Sequence, residues 1–238
     1  MSKSFWIVNT AIKNITRLIC QVDDTQLQRV PRRGPLILVA NHINFLEVPI
    51  LFTHLQPRPV TGFAKIETWN NPAMGALFNL WGAIPIKRGE ADMAAIRRGL
   101  AVLGDGKILA VAPEGTRSGN GQLQKGHPGV VTLAMRSGAP LLPVIYYGGE
   151  GFRRNLTHLR RTDFHIIVGK QFTLNVRDAV LSREVRQQIT DEIMYQLAAL
   201  LPISYRGYYS DLSAATEEYL KFSSGARSNL NRLPNLYN

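Results

Sequence analysis

Apolar residues recur with a helical period from the start of the chain. Phe5, Val8, Ile12, Ile15 and Ile19 follow spacings of three and four, with Ala11, Leu18 and Val22 beside them. This pattern predicts an amphipathic helix through residue 22. Lys3, Lys13 and Arg17 give it a cationic polar face, and Trp6 suits a lipid–water boundary. Two readings fit: a helix lying on an anionic membrane, or an ordinary helix packed on the domain. From Leu36 the period changes. Short apolar runs at 36–40, 60–64, 83–86, 108–112, 141–147 and 164–168 read as strands. Helical patterns separate or follow them at 44 to about 53, 72–80, 91–103, 130–136 and 182–200. In the third, Met93, Ile96, Leu100 and Leu103 share a face; in the last, Val185, Ile189, Ile193, Leu197 and Leu200 do. Alternating strands and helices predict an α/β fold with a mostly parallel or mixed central sheet flanked by helices. After Pro202 the chain turns polar and rich in Tyr, ending in a loose tail.

Two segments test for a membrane span or a leader. The longest uncharged run, 68–86, contains Asn70, Asn71, Pro72, Asn79 and Pro85, so it reads as loop, short helix and strand rather than a span. The N-terminal apolar residues are interleaved with Lys13, Asn14 and Arg17, and no small-residue cleavage site follows, so no signal peptide is expected.

Composition narrows the partners. With 45% hydrophobic and 19% charged residues, the 238-residue chain supports a sizeable core and is not a disordered polymer. A single cysteine, Cys20, excludes an intrachain disulfide and a multi-cysteine metal site. The net charge of +11 implies an anionic partner: nucleic acid, acidic membrane, acidic carrier protein or phosphorylated substrate. The charge is densest at the start, where residues 1–33 hold six basic and two acidic residues. Arg outnumbers Lys 20 to 8, which favours forked contacts to phosphate or carboxylate. No basic recognition helix or interleaved stacking aromatics support nucleic-acid binding.

Three segments carry candidate chemistry. The strand at 36–40 runs into Asn41-His42-Ile43-Asn44-Phe45-Leu46-Glu47. Ligands bind at the carboxyl ends of strands in open α/β sheets. There a carboxylate can hold one imidazole nitrogen and leave the other to take a proton from a hydroxyl. The five-residue spacing allows this only with His42 in the turn and Glu47 in the first helical turn. Asn44 and Glu47 also read as a variant capping box, which would make Glu47 structural; the two roles are compatible. The second segment, Pro113-Glu114-Gly115-Thr116-Arg117-Ser118, again follows a strand. Gly115 permits a tight turn, Arg117 can fork onto a phosphate, and Glu114 can orient it or accept a hydroxyl. The third is a strand ending in Lys87 and Arg88. Each also has a plain reading: a solvated loop histidine, a polar turn after a strand, and a solvated strand end. The Ser of Gly115–Gly119 is one place late for a nucleophile elbow, His127 replaces the lysine a P-loop needs, and no dinucleotide fingerprint follows a strand. Cys20 has no neighbouring base, and His158 and His165 have no partner at metal-ligand spacing.

Taken in order, NH-x4-acid (Asn41–Glu47), G-x-I-P-I-x-R (82–88), P-E-G-T-R-S (113–118) and P-x-x-P-V (140–144) resemble the four blocks of the glycerolipid acyltransferases of the bacterial 1-acyl-glycerol-3-phosphate type. Phe63-Ala64-Lys65 and Lys125-Gly126 also look like family positions. The resemblance covers residues 35 to 150. It implies an acyltransferase moving a fatty acyl group from a thioester to the free hydroxyl of lysophosphatidic acid, in phospholipid biosynthesis. His42 is then the general base with Glu47 as its partner. Arg88, Glu114, Gly115, Thr116 and Arg117 bind the acceptor, and Leu141 and Leu142 contribute apolar wall. The family normally has Asp where this chain has Glu47, one methylene longer. Alternatives are the same reaction on another lysolipid, including one derived from an amino acid, or a lipid-binding shell without catalysis. The implied partners are a lysophospholipid acceptor, acyl-CoA or acyl-carrier protein as donor substrate, and an anionic membrane surface. No metal and no cofactor are expected. The implied division is a membrane-associating helical segment at 1–33, an acyltransferase domain at 34–205 and a partly loose extension at 206–238. The implied place is peripheral or monotopic on the cytoplasmic face of a membrane.

Overall fold

The computed structural model describes residues 3–87, 92–176 and 181–231. The N-terminal apolar pattern folds as helix α1 (Lys3–Ile19) and stops before Val22, which belongs to strand β1 (Cys20–Asp23). The apolar runs then form β2 (Leu36–Ala40), β3 (Val60–Lys65), β4 (Ile84–Ile86), β5 (Ile108–Val111), β6 (Leu141–Tyr147) and β7 (Thr162–Val168). Between them lie α2 (Glu47–His54), α3 (Pro72–Leu80), α4 (Met93–Gly104), α5 (Gly129–Ser137) and α6 (Phe152–Thr157). Strand β8 (Phe172–Leu174), helix α7 (Arg183–Ala198) and strand β9 (Leu220–Phe222) follow.

Every residue of β2 is apolar and buried, so it takes a central place with both faces covered. Among the described residues the sheet has the order β1-β7-β6-β2-β5-β3-β4, with β8 pairing β6 and β9. β2 runs parallel to β5, with Leu36 opposite Ile108, and parallel to β6, with Ile37 opposite Leu141. β7 is antiparallel to β6 and parallel to β1, so the sheet is mixed.

Strand alternation divides the core in two. Ile37, Val39, Leu109 and Ile145 pack with α4, α5 and α7. Leu36, Leu38, Ile108 and Val144 pack on the other face with Phe5 of α1 and Ile50, Leu51 and Phe52 of α2. Helix α4 approaches closely because Gly99 has no side chain; a Cβ there would lie 3.0–3.2 Å from Phe63, Leu109 and Leu133. Its buried line is Ala95, Gly99 and Leu103, while Met93, expected on the inner face, is exposed. Side-chain acceptors cap three helix starts: Asn71, Asp92 and Ser182 each take an N–H from the first turn of α3, α4 and α7.

The α1 helix turns Phe5, Asn9 and Thr16 inward. Its two buried polar groups are satisfied. Asn9 Oδ1 accepts from Trp81 Nε1 at 3.0 Å. Thr16 Oγ1 lies 3.2 Å from His54 Nε2, and His54 Nδ1 is 2.7 Å from Asp24 Oδ2. The packed-helix reading therefore holds for this face. The opposite face leaves Ile7 (68% exposed), Ile15 and Leu18 (74% exposed) in an apolar row, with Trp6, Lys3 and Arg17 also exposed. Among the described residues no helix is long and apolar enough to cross a membrane.

Candidate functional site

The strands β2 and β5 lie side by side, but their connections leave in opposite directions. After β2 the chain enters α2 on one face of the sheet; after β5 it reaches α5 on the other. A crevice opens where adjacent connections diverge, at the carboxyl ends of the strands. His42 sits at one lip and Glu114 at the other. Glu114 Oε1 accepts the His42 N–H at 2.7 Å, and Ser118 N–H donates to the His42 carbonyl at 2.8 Å. Asn41 fixes the same turn to β6. Its Nδ2 donates to the Tyr146 carbonyl (2.9 Å) and its Oδ1 accepts the Tyr146 N–H (2.8 Å).

His42 Nδ1 is 2.7 Å from Glu47 Oε2. The other oxygen, Oε1, accepts N–H groups from Ile43 (3.0 Å) and Asn44 (2.7 Å). A carboxylate held by two donors acts as acceptor toward the third, which assigns the proton on the imidazole to Nδ1. Nε2 then carries a lone pair and has no hydrogen-bond partner among the described residues. Glu47 is also the first residue of α2, so the capping contact and the imidazole contact coexist. Asn44 serves differently from a helix cap: its Oδ1 accepts from Leu46 N–H and its Nδ2 ties the turn to Gly149.

The crevice continues into a cavity of about 840 Å³, within the size range of sites for drug-sized ligands. On the α2 side its wall is Val48, Leu51, Phe52 and Phe78 over the small residues Ala40, Gly62 and Ala110. On the α5 side it is Phe63, Ile86, Ile96, Val111, Val130 and Leu133. The polar lining comes mainly from His42, Glu47, Glu114, Thr116, Lys87 and His127.

Glu114 is 2% exposed, and both carboxylate oxygens are engaged by main chain, Oε2 accepting Gln124 N–H at 2.9 Å. Burial pushes its pKa up to about 7, against the pull of the Gln124 and His42 N–H groups; the charge of Glu47 adds to the rise. Gly115 takes φ +69°, and a Cβ there would meet the His127 ring at 3.2 Å, so this position needs glycine on both counts.

The structure thus brings His42, Glu47, Glu114, Gly115 and Thr116 to one cavity. Arg117 is exposed on the same loop but is not among the cavity's lining residues. Arg88 lies outside the described residues; its neighbour Lys87 lines the cavity. Leu141 and Leu142 are core residues rather than cavity wall. His127 and Tyr146 also line the cavity and were not singled out as site residues from sequence. A polar-tipped side chain at an inward position of an apolar strand is the signal for Tyr146. His158 is exposed, His165 stacks on Tyr147 with ring centroids 4.6 Å apart, and no metal-binding cluster occurs among the described residues.

Residues 21–147, more than half of the chain, match the acyltransferase family profile. A 1-acyl-sn-glycerol-3-phosphate acyltransferase of Borreliella burgdorferi is 25% identical over 130 residues, covering 54% of this chain and 52% of that protein. A lyso-ornithine lipid O-acyltransferase of Pseudomonas aeruginosa is 32% identical over 121 residues, covering 50% and 46%. The chain therefore spans about half the length of these two relatives. The fold is similar to the crystal structure of the 1-acyl-sn-glycerophosphate acyltransferase from Thermotoga maritima, with TM-score 0.59, 21% identity and coverage of 80% of this chain and 78% of that one.

Proposed function

Because the chain belongs to the acyltransferase family, we propose that it moves a fatty acyl group from an acyl thioester to the free hydroxyl of lysophosphatidic acid, giving phosphatidic acid. The observation that carries this reading is the His42–Glu47 pair at the mouth of a largely apolar cavity. His42 Nε2 takes the proton of the acceptor hydroxyl as its oxygen bonds to the thioester carbon. Glu47 holds the ring and stabilises the imidazolium that forms. The carbonyl π pair moves to oxygen, then returns as the C–S bond breaks, and the thiolate leaves with the proton from His42. The apolar walls take the alkyl chain, for which water is the worse solvent. The phosphate is assigned to the rim with Lys87, Thr116 and the Gly115 turn, and Arg88 and Arg117 are proposed as its electrostatic partners. Acyl-CoA and acyl-carrier protein are both suitable donors, and the machinery falls within residues 34–205. The exposed apolar row of α1 faces an anionic membrane, from which the acceptor is drawn.

A second reading keeps the reaction and changes the acceptor to an amino-acid-derived lysolipid. The similarity to the Pseudomonas lyso-ornithine lipid enzyme and the position of Arg117 outside the cavity lining favour it. Thiol release measured with acyl-CoA and acyl-carrier protein against lysophosphatidic acid and lyso-ornithine lipid separates the two. The first reading expects kcat/KM for the phosphate-bearing acceptor to exceed the other by at least about tenfold, a difference of one charged contact. Preference for the ornithine lipid supports the second, and no thiol release with either defeats both.

A further inference from the structure

Tyr146 sits on β6 beside the end of β2, where Asn41 clamps its backbone on both sides. Its side chain is 1% exposed, tilted against Phe164 with centroids 5.7 Å apart, and it lines the α2 side of the cavity with Ala40, Gly62 and Ala110. Its hydroxyl has no hydrogen-bond partner among the described residues. The charge that acts on it is that of Glu47, whose carboxylate is already taken up by Ile43, Asn44 and His42. Burial, with Glu47 adding to it, holds the phenol well above its usual pKa, so it keeps its proton and remains a donor. A buried donor left unpaired costs stability, and a native fold that keeps one at a ligand cavity calls for a reason.

We propose that the Tyr146 hydroxyl donates a hydrogen bond to the carbonyl oxygen of the acyl group in transfer, an assignment that rests on the acyltransferase reading. Apart from Asn41 and the His42–Glu47 pair, the wall around Tyr146 is apolar, so the ligand portion beside it is the head of an alkyl chain. The strong acceptor on such a chain is the carbonyl at its head. The acceptor hydroxyl belongs at His42 Nε2 and the phosphate at the rim, which leaves the carbonyl oxygen for Tyr146. As the acceptor oxygen bonds to carbon and its proton passes to His42, the carbonyl π pair localises on this oxygen. A preorganised donor in a dry site gains strength at that moment. When the pair returns, the C–S bond breaks and Tyr146 is left with the weaker acceptor of the product ester. Tyr146 then touches the reacting group and is a catalytic residue.

Tyr146→Phe removes the hydroxyl and keeps the ring. The proposal expects kcat to fall about 100-fold, as for loss of one oxyanion donor, while KM for both substrates stays within about twofold. The Tm stays the same or rises, since an unpaired buried hydroxyl is gone. Wild-type kcat in this variant overturns the proposal, as does a lower Tm with kcat intact, the mark of a structural or water-held hydroxyl. An infrared spectrum gives a reading without turnover. With a 13C-carbonyl acyl thioester bound to His42→Ala protein, adding Tyr146→Phe moves the carbonyl band to higher wavenumber; an unmoved band also overturns the proposal. If the wild type releases no thiol with any lysolipid, the acyltransferase reading itself fails, and this assignment falls with it for that separate reason.

Discussion

The extra methylene of Glu47, relative to the aspartate usual in this block, is absorbed where the side chain starts. Glu47 opens α2, its Oε1 is fixed by two main-chain N–H groups, and Oε2 still reaches His42 at 2.7 Å. Neighbouring Glu114 has a different task. It joins the His42 turn to the 118–124 loop, and its position above the ordinary carboxylate range has a measurable consequence. Its folded pKa of about 7 exceeds the unfolded value of 4.5. Between these values the folded state holds a proton that the unfolded state has lost. Its favourable contribution is therefore complete below about pH 4.5 and is lost as pH rises through about 7, a change on the order of 3 kcal/mol. Denaturant midpoints of wild type and Glu114→Gln at pH 4.5 and pH 8 test this. The stability of wild type relative to the variant should be greater at pH 4.5; a difference independent of pH contradicts it.

Among the elements, α1 is two-sided. Counting apolar residues alone puts Ile15 on one stripe with Phe5 and passes over Asn9 and Thr16. The folded helix buries those two because Trp81 and His54 satisfy them, and Ile15 turns outward with Ile7 and Leu18. A deletion of residues 1–22 would remove buried Phe5, Asn9, Thr16 and Cys20 and could not separate folding from membrane binding. Replacing Ile7, Ile15 and Leu18 together by Ser is cleaner. Loss of three apolar insertions should reduce sedimentation with anionic vesicles at least about tenfold, with the Tm unchanged. Unaltered vesicle binding would show that this row is not the membrane contact. The strands show where local pattern suffices. β2, β5 and β6 read as continuous apolar runs because both faces are covered. β1 (Cys-Gln-Val-Asp) and β9 (Leu-Lys-Phe) are short and partly polar, and they are strands only through pairing with β7 and β8, far away in sequence.

At the scale of the whole molecule, the divergence of the connections after β2 and β5 makes one cavity out of segments 72 residues apart, from His42 to Glu114. The segments were legible because their polar residues follow apolar strands directly. Their union was not, since it depends on strand order. His127 and Tyr146 acquire a place at the cavity only through packing, the first against Gly115 and the second beside Asn41. The excess of positive charge has a partial account: Lys87 lines the cavity, and Lys3 and Arg17 flank the exposed row of α1.

The central claim is that His42, held by Glu47, deprotonates the acceptor. Its most direct measurement is steady-state thiol release from an acyl thioester with lysophosphatidic acid, wild type against His42→Ala, with Tm recorded for both. The account predicts a fall in kcat of about 10²–10⁴-fold, the usual contribution of a general base, without loss of fold. Wild-type turnover by the folded variant would contradict it.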